Sequence, residues 1–242
     1  MVRLGWINDT HVRAQGESPP GPGTRLQDAI KHLFEEKNVD SLIFGGDQCH
    51  PAGISAPYPV PHINEAHVDE FWGLVDETGY GDKCYAVPGN HDCPVPLWIK
   101  ESGKRAVVPQ KLTWDGVTVL LLNTNGQGVT GSKMGTGWLV GQIPYADLVW
   151  LEAELKAAKE RGDIRIVFSH HHLYFSDNSN IQSYSADNMM RKSQLYWVVL
   201  NFTKVKSILE ANAPVIAFQG HIFQFTEEGY RELNDVYYVY KK

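Results

Sequence analysis

Five apolar stretches of this chain each run into a short cluster of acid, amide or histidine, and this recurrence constrains the fold more than any other feature. Val2–Ile7 leads into Asp9-Thr10-His11, Ser41–Phe44 into Gly45-Gly46-Asp47, and Lys83–Val87 into Gly89-Asn90-His91-Asp92. Ile164–Phe168 leads into Ser169-His170-His171-His172, and Val215–Phe218 into Gly220-His221. Short apolar and β-branched runs bounded by such residues read as strands. Helical patterns lie between them. Thr24–Asn38 places Leu26, Ala29, Ile30, Leu33 and Phe34 at i, i+3, i+4 spacing, and Asn64 can cap a helix running to about Thr78. Tyr145–Arg161 carries Leu148, Leu151, Leu155 and Ala158 on one face with Gly162 as its stop, and Ser193–Asn212 reads as a further helix. Val117–Leu122 is another strand behind the turn Asp115-Gly116, and Tyr230–Tyr240 reads as a closing hairpin around Asn234-Asp235. Strand and helix in alternation are the α/β signature. In open α/β sheets ligands bind beyond the carboxyl ends of the strands, so five strand ends deliver oxygen and nitrogen ligands to one edge.

Composition narrows the partners. With 242 residues, 43% hydrophobic and 21% charged, the chain can bury a core without staples and is not intrinsically disordered. No repeat and no linker interrupts it, so a single domain over residues 1–242 is expected. The formal net charge of -6 argues against general nucleic-acid binding, which draws its affinity from Lys and Arg on phosphates. No apolar run has the length needed to cross a bilayer, so no membrane partner is expected. Three cysteines without a close pair, and a first apolar stretch ending at Asn8-Asp9, point to a reducing compartment and a cytoplasmic location. Oligomeric state stays open.

The strand-end clusters have the chemistry of a two-metal site. Carboxylate together with imidazole suits Mn, Fe, Zn or Ni. An Asp can bridge two cations, and cations about 3.5–4 Å apart clamp the attacking and leaving oxygens of an in-line phosphoryl displacement. A bridging hydroxide is the expected nucleophile, because bound water loses its proton far more easily than bulk water. Glycines beside the ligands let the backbone turn sharply and bring short side chains close.

Taken in order, Asp9-Thr10-His11, Gly46-Asp47, Gly89-Asn90-His91-Asp92, Ser169-His170-His171 and Gly220-His221 resemble the motifs of the calcineurin-like metallophosphoesterase family. Gln142–Leu155 also resembles that family's helix before the histidine strand. The resemblance implies a four-layer αββα sandwich, with two mixed sheets flanked by helices and the metal site at the carboxyl ends of the strands. It implies that Asp9 and His11 bind a first metal, that Asp47 bridges both, and that Asn90, His170 and His221 bind the second. His91 would not ligate; it would contact the phosphate and protonate or stabilise the leaving oxygen, with Asp92 orienting it through a hydrogen bond. His171 and His172 are not expected as ligands. The activity implied is a metal-dependent hydrolysis of phosphoric mono- or diesters, with a small phosphate ester or nucleotide as substrate.

One position departs from the pattern. The family's last motif is Gly-His-x-His, whereas this chain reads Gly220-His221-Ile222-Phe223. Phenylalanine has no lone pair to donate, so the first metal loses a protein ligand. Water may take the position, or another side chain may. The remaining alternative is a degenerate site on a non-catalytic binding or assembly module. His50 is the candidate replacement, because it stands three residues past Asp47, where the purple acid phosphatase branch carries its tyrosine; Gln224 is a weaker rival. Substrate choice is expected from the long loops Cys49–His62, Asn123–Pro144 and His172–Lys192. Tyr58, Trp138, Tyr174, Phe175 and Tyr184 could there stack a base or cover the core edge.

Overall fold

The computed structural model describes residues 2–15, 23–50, 63–125, 141–173 and 199–220, and the backbone of 223–226, 229–232 and 237–240. Strand and helix alternate as β1 (Leu4–Ile7), α1 (Gly23–Lys31), β2 (Ser41–Phe44), α2 (Glu65–Asp76), β3 (Cys84–Ala86), α3 (Val95–Ser102), β4 (Gln110–Trp114) and β5 (Val117–Leu121). They continue as α4 (Tyr145–Arg161), β6 (Ile164–Ser169), α5 (Phe202–Ala211), β7 (Val215–Gln219), β8 (Phe223–Thr226), β9 (Gly229–Glu232) and β10 (Tyr237–Tyr240). A π-helical turn, His32–Glu36, extends α1. Local chemistry sets the ends. Asn64 caps α2 by accepting the His67 N–H, while His67 Nδ1 accepts the Asn64 N–H in return. Gly162 closes α4 at φ 78°, a left-handed stop that suits glycine.

The strands form two principal sheets. β1, β2 and β3 are parallel in that order. The second sheet runs β10-β7-β6-β5-β4, with parallel β5, β6 and β7 inside and antiparallel strands at both edges. Side chains alternate across a strand, and that alternation builds the layers. Leu42 and Phe44 of β2 face a core with Leu26, Ile30, Val68, Phe71, Trp72 and Trp98 from α1, α2 and α3. Ile43, between them, faces the other sheet with Val87, Val119, Leu121 and Phe168. Leu120 and Val167 point the opposite way, into a core with Leu148, Leu151 and Leu155 of α4 and Val205, Ile208 and Leu209 of α5. Three cores thus separate four layers, helix, sheet, sheet, helix. Trp6 meets Phe218 edge-on at 5.3 Å and ties the two sheets together.

The closing segment differs from expectation. The hairpin joins β8 to β9, whereas Tyr237–Tyr240 pairs antiparallel with Val215–Phe218 and extends the second sheet. The apolar run at Val236–Tyr240 fits a strand with either partner, and the observed partner is β7. The turn Asn234-Asp235 and residues 193–198 of the expected last helix lie outside the described residues. Two elements lacked a sequence signal. Pro94 and Pro96 mask the periodicity of Val95, Trp98 and Ser102 in α3, and β4 is a half-exposed edge strand with polar alternation. No helix of the described residues is long and apolar enough to cross a membrane.

The helix-side core tests this packing. Phe71 is fully buried, with Phe44 at 5.0 Å and Trp98 at 5.7 Å between ring centroids. Phe71→Ala is expected to cost about 3–5 kcal/mol. A urea titration checks it, and the midpoint should fall while the slope stays unchanged.

Candidate metal centre

The centre begins as an extension of the first sheet. Past the ends of β1 and β2 the two chains stay laced: Gly45 N–H donates to Ile7 O at 2.8 Å, Asp9 N–H to Gly46 O at 2.9 Å and His11 N–H to Asp47 O at 2.9 Å. Val12 N–H then donates to Gln48 O at 2.7 Å and His50 N–H to Val12 O at 2.8 Å. Within this ribbon Asp9, His11 and Asp47 take φ values of 53°, 47° and 53°. An L-residue there costs roughly 1–2 kcal/mol, and such strain persists where the surroundings enforce it. Here the laced backbone does so. Close approach does the rest. A β-carbon on Gly89 would overlap the Asp47 backbone and carboxylate, and one on Gly46 would overlap the His170 ring.

These constraints bring two donor sets together. One ligand atom each from Asp9, Asp47 and His170 lie within 4.8 Å of one another, and so do atoms of His11, His50 and His91. The first set is buried, with Asp47 2% and Asp9 8% exposed. Asp47 Oδ1 accepts the His91 backbone N–H at 2.8 Å and lies 3.4 Å from His170 Nε2. His170 Nε2 is 3.0 Å from Asn90 Oδ1, and its Nδ1 is 3.1 Å from Gly45 O. The second set is a triangle of half-buried imidazoles, with ring centroids 5.0 Å apart for His11–His50 and His11–His91 and 4.9 Å for His50–His91.

The electrostatics favour cations. Burial alone would raise the Asp47 pKa, but His170, His91 and His11 hold it well below the usual carboxylate range. Burial opposes a charge on His170, yet Asp47 and Asp9 carry it up to about 9. Burial lowers His11 to about 4 and lowers His91 as well, despite Asp47. Two buried carboxylates side by side demand positive charge, which a His170 proton supplies and a cation would replace. Oxygen and imidazole donors at this spacing fit divalent transition metals.

Asp9, His11, Asp47, Asn90, His91 and His170 therefore meet in one region, and His50 lies among them. His221 lies outside the described residues, as do Tyr58, Trp138, Tyr174, Phe175 and Tyr184; of Phe223 only the backbone strand is described. Asp92 is placed differently from its expected role. Its oxygens accept three backbone N–H groups, from Gly89 at 2.8 Å, Gln48 at 3.2 Å and Cys49 at 2.8 Å. The expected bond to the His91 ring is not among these three. His171 Nδ1 stands 2.8 Å from Thr124 Oγ1, and both are buried. That contact exposes a sixth strand end that the sequence reading passed over. Asn123-Thr124-Asn125 follows β5 and is buried, and Asn125 donates to Pro88 O at 2.9 Å. Its signal was the same as that of the other five, a polar run directly after an apolar strand.

A profile of the calcineurin-like phosphoesterase family matches residues 2–225. Among solved structures, a dimetal phosphatase from Danio rerio is similar at a TM-score of 0.63 and 14% identity, covering 94% of this chain and 85% of that one. GAP50, described as the anchor in the inner membrane complex of Plasmodium, aligns at a TM-score of 0.42 and 14% identity over 80% of this chain and 63% of that one. A search of curated protein sequences returned no match.

The Asp92 arrangement makes a direct prediction. An amide offers one acceptor oxygen where the carboxylate offers two, so Asp92→Asn should leave buried N–H groups unsatisfied. The expected loss is about 1–3 kcal/mol of stability, read as a lower thermal midpoint. If Asp92 instead acted through His91, the pH profile of turnover would move with stability unchanged.

Proposed function

The chain belongs to the calcineurin-like phosphoesterase family, and on that premise we propose that it hydrolyses phosphoric mono- or diesters with two divalent transition metals, drawn from Mn, Fe, Zn or Ni, held at this centre. The observation that carries the reading is the buried set of Asp9, Asp47 and His170 directly beside the imidazoles of His11, His50 and His91. Asp47, His170 and Asn90 Oδ1, joined by His221, would hold the deeper cation; Asp9 and His11 would hold the shallower one, with Asp47 between. When bound, the pair supplies an activated water and the positive charge that a pentavalent phosphoryl group needs.

The chain's own residues do the rest. Asp47 is fixed by the His91 backbone N–H at 2.8 Å and by its contact with His170, so it needs little reorganisation when charge develops nearby. His91 Nε2 stands 3.9 Å from Asp47 Oδ2 in a half-buried position. It can turn a ring N–H towards a phosphoryl or leaving oxygen, and an anionic ester beside it would raise its lowered pKa towards the working range. The leaving oxygen departs with that proton. A small phosphate ester or nucleotide is the substrate class that this site favours.

Elemental analysis after Mn loading, with turnover assays on a chromogenic monoester and diester, tests the proposal. Asp47→Ala should lose bound metal and activity together. His91→Ala should keep both metal equivalents and lower kcat by about 10²–10⁴-fold. A protein that holds no metal and turns over neither ester would serve as a binding module on this fold instead.

A further inference from the structure

We propose that His50 is a metal ligand of this chain, supplying a ring nitrogen beside His11 to the shallower cation. This rests on the centre holding divalent metals. His50 reaches the site by backbone geometry. A parallel bridge pairs Val12 with Cys49, and the His50 N–H donates to Val12 O at 2.8 Å. Together they carry the β1–β2 pairing past the strands and set His50 against His11. Pro51 follows and favours extended geometry at His50, which matches a residue continuing a strand-like ribbon.

The distance between the two rings carries the argument. His50 Nδ1 is 3.1 Å from His11 Nδ1. Two nitrogens each about 2.0–2.1 Å from one cation, at angles of about 90–110°, stand roughly 2.9–3.4 Å apart. The observed separation falls in that interval. His50 is half-buried, so its ring is flanked by protein yet open enough for an ion to enter. Without His50 the shallower cation would rest on Asp9, His11 and the shared Asp47 alone, so the two equivalents should differ, with the shallower one depending on His50.

Chelator competition and proton NMR of the Co(II)-loaded full-length protein test this without reference to turnover. His50→Ala should weaken one metal equivalent more than tenfold and leave the other unchanged. One hyperfine-shifted imidazole N–H resonance should vanish from the Co(II) spectrum while the rest stay. A fall in affinity with every shifted imidazole N–H retained in His50→Ala would show that His50 only holds His11 by a hydrogen bond, and would overturn the proposal. So would two unaltered equivalents in His50→Ala, an outcome that leaves the phosphoesterase reading standing. Unaltered protein that binds no metal would overturn both.

Discussion

Asp9 and Asp47 bring two carboxylates into a space where water does not compensate them, and the surrounding structure answers that repulsion. Each buried anion carries a desolvation cost of several kcal/mol. Part of the answer is electrostatic, because the imidazoles of His170, His91 and His11 surround Asp47 and hold it ionised. Part is mechanical. The backbone bonds from Asp9 to Gly46 and from His11 to Asp47 fix the two acids in left-handed conformations that a free chain would leave. Local strain and like charge are thus tolerated together at one place, which is where sequences break their own rules for function.

Asp92 shows how the surrounding backbone shares this task. Its carboxylate gathers the amides of Gly89, Gln48 and Cys49. Those amides belong to the turns after β3 and β2. The turn that carries Asn90 and His91 is thereby locked to the turn that carries Asp47, and the Gly89 backbone can lie against the Asp47 carboxylate only because it has no side chain. A site held by backbone contacts of this kind is stiffer than one assembled from long side chains.

Much of this was legible in the sequence, and the exceptions have physical causes. The strand-end clusters and the helix faces announced alternating strands and helices, because period and polarity both change at strand ends, while the two sheets clad in helices were implied by the family resemblance. Burial on two faces made β2 and β5 continuous apolar runs, easy to read. The edge strand β4 and the proline-flanked α3 were not, since half-exposed alternation and prolines blunt the signal. The pairing of β10 with β7 could not be read, because strand partners are chosen by tertiary edges rather than local pattern. Among the site residues, identity was readable but contact was not. His50 was visible as a candidate from its spacing to Asp47, yet only backbone pairing sets it beside His11. Asp92 was visible as an acid beside His91, but its bonds to the amides of Gly89, Gln48 and Cys49 arise only from three-dimensional closure. Asn123-Thr124-Asn125 had the right pattern but no histidine or acid to draw notice.

The three cores have a further consequence. The one beneath α1, α2 and α3 is drawn from residues between Ile7 and Ala106, and the one beneath α4 and α5 from residues between Leu120 and Ala217. Each half of the chain thus builds a sheet with its own helical cladding, and the halves meet at the inter-sheet core. The metal centre straddles that same seam: Asp9, His11, Asp47, Asn90 and His91 come from one half, His170 from the other. Severed between Ala106 and Gln110, the chain would become two pieces, neither holding a complete ligand set. If the centre holds metal as proposed, capture of the deeper ion would report their reunion, as in a fragment-complementation sensor.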